Sequence, residues 1–519
     1  MPTTPVMCGG NTMKRFLLTG FSALVLAGCT VGPEYKKPQV VSPATWRATQ
    51  GLAQSQVTTA KTAPQWWALF HDPMLTRLEN EVAASNLDLK VASLRLMQSQ
   101  AEKRIASAAQ MPNIDGNASY GRERASTNGV LGLLGTMERE QAGSIASGMP
   151  GFGPTALPGS VGNPSFNLPQ YGMNTSWEVD FWGHVRRQVE AASAAMQATE
   201  DMRRDMLVSL MAETAQDYIE LRAIQTQIGI LEHNIAVVAE SVRLTRMRLE
   251  QGAATQLDVA EATGQLHSFT ARLAPLQAQA THMLNALSFL IAREPGTLDA
   301  ELGKPAAIPS LPVAVPLGLP SELAERRPDI RMAADKLHAA TASVGVAIAD
   351  FFPRVTLSGS LDVQALQFSG LGSWASRQYG FGPTATLPIF EGGRLTGQLH
   401  LRKAQQQEAA TQFQRTVLKA WQEIDDAMAD FTAAQKRRDE LAEAVQQNEI
   451  AVATARAQYL QGASDFLNVL TLQNALLSSQ SALANATAYS AASVTRLYRA
   501  VGGGWEAFYP EQHITKNHS

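Results

Sequence analysis

Beyond the N-terminus this 519-residue chain contains no apolar run approaching the roughly 18 residues of a membrane-spanning helix, so any crossing of a bilayer must use strands. Cysteine is nearly missing. Only Cys8 and Cys29 occur, and the processing expected below removes Cys8, which excludes an internal disulfide and a thiolate metal site in the mature chain. Charge excess is missing too. Setting aside residues 1–28, whose only charges are Lys14 and Arg15, leaves 41 basic against 46 acidic side chains, a net −5 that argues against nucleic acid as a partner. There is no His-Glu-x-x-His, and Gly303-Lys304 lacks the glycine spacing of a phosphate loop. Gly502-Gly503-Gly504 ends a helical pattern instead of following a strand, and the nine histidines are scattered. No catalytic constellation and no metal or cofactor site is expected.

What the chain does have is a long helical hairpin written twice. Positions repeating at alternating steps of three and four run through Leu207, Leu210, Thr214, Asp217, Leu221, Ile224, Ile228, Leu231, Ile235, Val238, Val242, Thr245 and Leu249. The same rhythm returns, shifted by 210 residues, from Val417 and Ala420 through Ile424, Phe431 and Leu441 to Val452 and Tyr459. Each stripe ends in the same turn, Gln251-Gly252-Ala253 and Gln461-Gly462-Ala463, followed by Leu257/Leu467 and Val259/Val469. Heptads held this long predict helices packed as coiled coils. The long helices are expected from about Gly183 to Glu250 and from about Gly392 to Gln461, each roughly 100 Å long.

Strand-like alternation precedes each hairpin. In the first copy Ile114, Gly116, Ala118 and Tyr120 form one run and Tyr171 to Phe181 another, separated by a Gly/Pro-rich stretch at about 128–167 that is expected to face the exterior. In the second copy Val355 to Ala365 and Tyr379 to Ile389 do the same. One apolar and one polar face fits a sheet with lipid outside and water inside; a soluble sandwich is the alternative. A helix from Pro73 to about Gln110 is expected ahead of the first strand, with Leu75, Leu78, Val82, Leu89, Leu96 and Ile105 on its face. Here Asp88-Leu89-Lys90 matches Asp329-Ile330-Arg331, and Pro112 matches Pro353, at a shift of 241. Four strands cannot close, and open edges are forbidden in lipid, so copies must share one barrel. Two copies would give eight strands and a plugged interior, three would give twelve and a water-filled one.

Lys14-Arg15 and the apolar stretch Phe16 to Leu26 read as a secretion signal. Its end, Leu26-Ala27-Gly28-Cys29, resembles a bacterial lipobox with Cys29 as the lipidated first mature residue. Thr30, in place of Asp, favours the outer membrane by resemblance to sorted lipoproteins. Either Met1 or Met13 can be the start. The expected organisation is a signal at 1–28, a lipidated extended tether at 29–64, a first repeat at 65–292, a Pro-rich connector at 293–327, a second repeat at 328–504 and a polar tail at 505–519.

The lipobox, the Arg327-Pro328-Asp329-Ile330-Arg331 box, Phe352-Pro353, and Tyr459-x-x-Gly462 with Leu467-x-Val469 together resemble the TolC/OprM-type outer-membrane factors, in their lipoprotein (NodT-like) branch. The resemblance covers essentially all of the mature chain. It implies a mainly α fold with membrane β: a homotrimer whose long hairpins form a periplasmic α-barrel beneath a twelve-stranded outer-membrane barrel. It further implies an exit duct for drugs or other small molecules, docked onto a periplasmic adaptor and, through it, an inner-membrane pump. By the same resemblance Asp258, Glu261, Leu467, Asn468, Thr471 and Asn474 line a periplasmic gate, and Gly252, Thr255, Gly462, Ser464 and Asp465 sit on tips that meet the adaptor. Asn468 and Thr471 stand where relatives carry Asp, and Asn474 where the lipoprotein branch has Arg, which leaves Asp258 and Glu261 to supply a weaker acidic ring. An exit duct for peptides or proteins, or a lipid-anchored periplasmic coiled-coil scaffold, is the alternative. The four strands with aromatic ends (Trp177, Phe181, Trp182, Phe390) separate a channel from a scaffold, which has no use for them.

Overall fold

A computed structural model describes residues 30–39, 57–58, 60, 62–124, 165–311, 315–319, 322 and 326–509. Cys29, the signal segment, most of the first inter-strand loop and the chain past residue 509 lie outside them. The described residues fall into two compact units, neither of which follows the repeats. One draws on Met1–Glu34, Glu102–Ala191 and Thr341–Lys403, the other on Tyr35–Ala101, Ala192–Ala340 and Ala404–Ser519.

The repeat is exact in length. Helix α3 (His184–Glu250) and helix α7 (Arg394–Leu460) hold 67 residues each, and both ends match at the shift of 210. Among the first stripe, Leu207, Leu210, Thr214, Leu221, Ile224, Leu231, Val238, Val242 and Thr245 are buried. In the second, Ala420, Ile424, Ala427, Phe431, Ala434 and Ala455 are buried, while Arg438, Leu441, Val445, Asn448 and Val452 stay half-exposed. The return helix of the second copy, α8 (Phe466–Ala500), is unbroken. That of the first is split into α4 (Gln256–Ala271) and α5 (Leu273–Leu290). Pro275 explains the split, because it lacks an N–H and its ring clashes with the carbonyl four residues back, at Ala271. Asn485 takes the matching position in α8 and imposes no such break.

The single helix expected from Pro73 to about Gln110 is two helices, α1 (Pro73–Ser85) and α2 (Leu87–Ala108). Asn86 separates them. Its Oδ1 accepts from the backbone of Asp88 (2.9 Å) and Leu89 (3.0 Å), capping α2, and its Nδ2 donates to the Leu290 carbonyl at 2.8 Å. The buried face is as expected except that Ile105, 74 % exposed, faces away from it. The second copy's α6 (Pro328–Ala349) has the same length of 22 residues as α2, with both ends matched at the shift of 241. Arg327 then stands where Asn86 does, and its Nη1 donates to the Ala500 carbonyl at 2.5 Å. Leu290 and Ala500 are themselves partners at the shift of 210. One joint, from the start of a short helix to the end of the return helix, is therefore made twice with different side chains.

Strands β2 (Asn113–Arg124), β3 (Ser165–Glu178), β5 (Arg354–Gln364) and β6 (Arg377–Thr386) form one antiparallel sheet in the order β2-β3-β5-β6. Its register sorts the faces. Ala118, Tyr171 and Val363 lie side by side, as do Met173, Leu361 and Tyr379. On the other face Asp115, Asn174, Ser360 and Gly380 form one row, and Asn117, Gly172, Asp362 and Gln378 another. The apolar face is bare, with Met173 58 %, Tyr379 77 % and Phe381 85 % exposed. No second sheet covers it among the described residues, which removes the sandwich reading. The strands stop short of the expected Phe181 and Ile389. Asp180 instead turns its Oδ2 to the Arg186 amide (2.8 Å), and Pro388 has no N–H to continue a ladder.

Parts of the expected tether and connector are paired as well: β1 (Val57–Thr58) runs parallel to β4 (Val315–Pro316). The main core lies in the second unit, where Trp66 stacks on Tyr498 with ring centroids 5.4 Å apart, beside Trp67, Phe70, Leu75 and Trp505. Glu79 is fully buried there with neither carboxyl oxygen hydrogen-bonded, and burial holds it well above the usual glutamate range.

Candidate functional site

The two hairpin tips, both in the second unit, contain every residue for which a gate or docking role is expected. Each long helix ends in a glycine in the left-handed region, Gly252 at φ +73° and Gly462 at φ +74°. The Ala253 amide donates to the Arg248 carbonyl (2.7 Å) and Gly252 to Leu249 (2.9 Å). Ala463 to Gln458 (2.9 Å) and Gly462 to Tyr459 (3.0 Å) repeat the pair. These are the paired hydrogen bonds of a Schellman end, and the positive φ alone accounts for glycine, since no atom lies within 4 Å of a Cβ at either position.

The chain restarts differently at the two tips. At the first, Thr255 caps α4 in a reciprocal box: its Oγ1 accepts from the Asp258 amide at 3.2 Å, and the Asp258 carboxylate accepts from the Thr255 amide at 2.7 Å. Asp258 also accepts from the Thr255 hydroxyl at 2.9 Å. The carboxylate expected to line a gate thus closes a helix end. At the second tip Asp465 takes the place of Thr255 and Asn468 that of Asp258, and Asp465 makes no side-chain cap. Asn468 reaches back to the Ser464 hydroxyl at 3.2 Å. Glu261, half-buried one turn past Asp258, is matched by Thr471, whose hydroxyl donates to the Leu467 carbonyl at 2.8 Å.

Apolar packing makes up at the second tip for the missing cap. Phe466, in the position of the exposed Gln256, is 3 % exposed among Val242 and Ala262 of the first hairpin and Ala455, Val469 and Leu470 of its own. Tyr459 lies 5.1 Å from the Phe466 ring, and the Arg248 guanidinium sits over the other ring, 4.7 Å from the Tyr459 centroid. Arg248 also donates to the Tyr459 carbonyl at 3.2 Å. Further along, Gln265 Nε2 donates to Asn474 Oδ1 at 2.7 Å, so Asn474 ties α4 to α8. The tips are thus fastened to each other by an aromatic latch and an amide bridge. Arg248, Phe466 and Gln265 escaped the sequence reading, and Tyr459 entered it only as a stripe and motif position; the signal available for Phe466 was its pairing with a polar residue at the shift of 210.

Leu257 (66 % exposed) and Leu467 (59 %) point away from this packing at matched positions, two large apolar side chains presented outward. Among the described residues no group of His, Cys, Asp and Glu is placed to hold a metal, and no helix is long and apolar enough to cross a membrane.

The Arg327 box is a fastening. Arg327 is 6 % exposed; besides the Ala500 carbonyl it donates from Nη2 to Asp329 (2.7 Å) and Glu423 (2.7 Å), joining α6, α7 and the end of α8. Nearby Asp205, held mainly by burial and then by Asp329, is pushed up to about 6.

A family model for outer membrane efflux proteins matches residues 78–293 and 319–503. The toluene efflux pump outer membrane protein TtgC of Pseudomonas putida is 30 % identical over 500 residues, covering 95 % of this chain and 96 % of its own. The cation efflux system protein CusC of Escherichia coli is 26 % identical over 490 residues, covering 93 % and 97 %. The solved outer-membrane channel OprN superposes with a TM-score of 0.81 at 31 % identity, over 92 % of this chain and all of that one. The duplicated hairpins, the four-stranded sheet and these matches agree: the chain belongs to the outer membrane efflux protein family.

Proposed function

We propose that three copies of this chain form a passive outer-membrane exit duct, lipidated at Cys29, which receives small molecules from an inner-membrane pump through a periplasmic adaptor. The observation that carries this reading is the open sheet. Among the described residues strands β2 and β6 are unpaired edges, and the exposed face between them is apolar, so insertion in lipid demands that other copies supply the missing neighbours. Twelve strands leave a polar lumen lined by such side chains as Asn174, Ser360 and Asp362. Relatives export substances as different as toluene and cations, which supports a conduit whose cargo is chosen elsewhere.

The tips supply the gate and the docking surface in this reading. Leu257 and Leu467 are the constricting apolar groups, with Glu261, Asn468, Thr471 and Asn474 on the adjoining turns. Asp258 acts through the conformation of its tip. The turns around Gly252, Thr255, Gly462, Ser464 and Asp465 meet the adaptor. Electron microscopy of the detergent-extracted protein should show three-fold hollow particles; monomeric particles would sink the shared barrel. In planar bilayers Leu467→Ser should raise single-channel conductance, and an unchanged conductance would remove Leu467 from the gate.

A further inference from the structure

The four-stranded sheet of the first unit sorts its charges by face and by sign. Asp115, Glu123, Glu178 and Asp362 all stand at register positions of the polar face. Among the described residues the apolar face of the strands carries three charged side chains, and all three are arginines. Arg377 lies in the row of Ala118, Tyr171 and Val363. Arg122 and Arg124 follow Ala118 and Tyr120 on the same face of β2, because side chains alternate along a strand. All three are exposed.

The arginines also share one end of the sheet. Helices join it near Asn113, Glu178, Arg354 and Thr386, while Arg124 ends β2 and Arg377 begins β6 at the opposite end. Ile114 to Arg124 covers about 34 Å of strand, or roughly 26 Å of height at a tilt near 40°. The apolar band of an outer-membrane barrel is about 25 Å tall, so with Ile114 at its lower edge these side chains reach headgroup depth. A cation is costly at the middle of that band and nearly free at its edge. Aromatic rings mark the same level. Tyr120 stacks on Phe368 of the loop between β5 and β6, with centroids 5.4 Å apart and planes 19° from parallel. The Arg377 guanidinium lies over Trp374, 4.0 Å from the ring centroid, and Trp374 is 81 % exposed. This loop is folded on itself, with Ser376 Oγ donating to the Gly370 carbonyl at 2.7 Å.

We propose that Arg122, Arg124 and Arg377 bind the phosphate groups of lipid in the outward leaflet. This rests on the proposed shared barrel. Closure sets the β6 edge of each copy beside the β2 edge of the next, so the two arginine-bearing edges meet at every seam. Like charges gathered on an apolar face call for anions, and that face supplies no carboxylate among the described residues. Guanidinium forks match phosphate oxygens in pairs. The exposed rings beside them pack against apolar matter, which a phosphorylated lipid brings and free phosphate does not.

The test uses the full chain, extracted in detergent and stripped of lipid, with assembly and bound lipid both read by native mass spectrometry. Diphosphorylated lipid A is titrated beside the same lipid with its phosphates removed, and inorganic phosphate serves as competitor. Wild type should bind the phosphorylated lipid in threes per trimer and the dephosphorylated lipid about a hundredfold more weakly. Arg377→Gln should weaken binding about fivefold, and Arg122→Gln, Arg124→Gln and Arg377→Gln combined about a hundredfold. Lysine at all three positions should fall between, since the charge stays and the fork is lost. If the combined variant does not assemble, the single one still decides. Equal binding of the two lipids, or a wild-type affinity in Arg377→Gln, overturns the site. Displacement by inorganic phosphate at the concentration at which the lipid itself binds overturns the lipid as occupant. Monomeric wild type overturns the shared barrel and the seam with it, whereas trimers without phosphate selectivity overturn the site alone.

Discussion

The two hairpins have long helices of equal length and identical turns, yet their tips are closed by different chemistry. The first uses a polar device, the Thr255–Asp258 box, and leaves Gln256 in solvent. The second has Asp465 and Asn468 in the same places without a side-chain cap, and buries Phe466 in the seam between the hairpins. The joints at the other end differ in the same spirit, an amide at Asn86 against a guanidinium at Arg327. At these turns and joints the backbone geometry is the same in both copies while the side chains that hold it differ. A helix end needs its orphan groups satisfied and its apolar neighbours covered, and either requirement can be met by more than one residue type. The consequence is asymmetric. The first tip is stabilised locally, whereas the second depends on contact with its neighbour and is the one whose order should respond if the hairpins separate.

The largest expected effect breaks the joint comparison. Arg327→Ala strands the Ala500 carbonyl and takes the guanidinium from two carboxylates, and should cost about 3 kcal/mol, against about 1–2 kcal/mol for Asn86→Ala, whose lost bonds are uncharged. Hydrogen exchange in the last turns of α8 and α5 reads the two directly; equal losses would show that the charge adds nothing. Next comes the latch. Phe466→Ala should loosen the second tip by about 3 kcal/mol, while the matched Gln256→Ala stays within about 0.5 kcal/mol. Similar exchange rates at Val469 and Leu470 in both variants would refute an apolar closure. The smallest effect sharpens the contrast in capping. Asp258→Ala should cost about 1 kcal/mol in the first turn of α4, with much less from Asn468→Ala. If both tips fray equally, the box contributes nothing in its own setting.

These contrasts also mark how much could be read ahead. The shifts of 210 and 241, the helix lengths and the alternation of the four strands were legible because periodicity follows from backbone geometry and repeats at every residue. Asn86 was passed over as a helix break, since one capping residue among helix formers is a weak local signal, and so was Pro275. The turns at Gly252 and Gly462 were legible along the chain, but the bond that occupies Asp258 could not be inferred: a carboxylate three residues after a threonine suits a capping box and a water-facing ring equally well. Arg248 and Tyr459, 211 positions apart, meet only because the hairpins do.

Local sequence by itself therefore determined the elements: where helices run, where the chain turns at Gly252 and Gly462, and which face of each strand is apolar. Those features depend on φ, on hydrogen-bond period and on transfer of side chains from water, all encoded within a few residues. The tertiary structure alone decided the fastenings, among them Phe466 in its seam and Arg327 on the Ala500 carbonyl. Each requires two distant segments to come within a few ångströms, and no periodicity in either segment records what the other will place there.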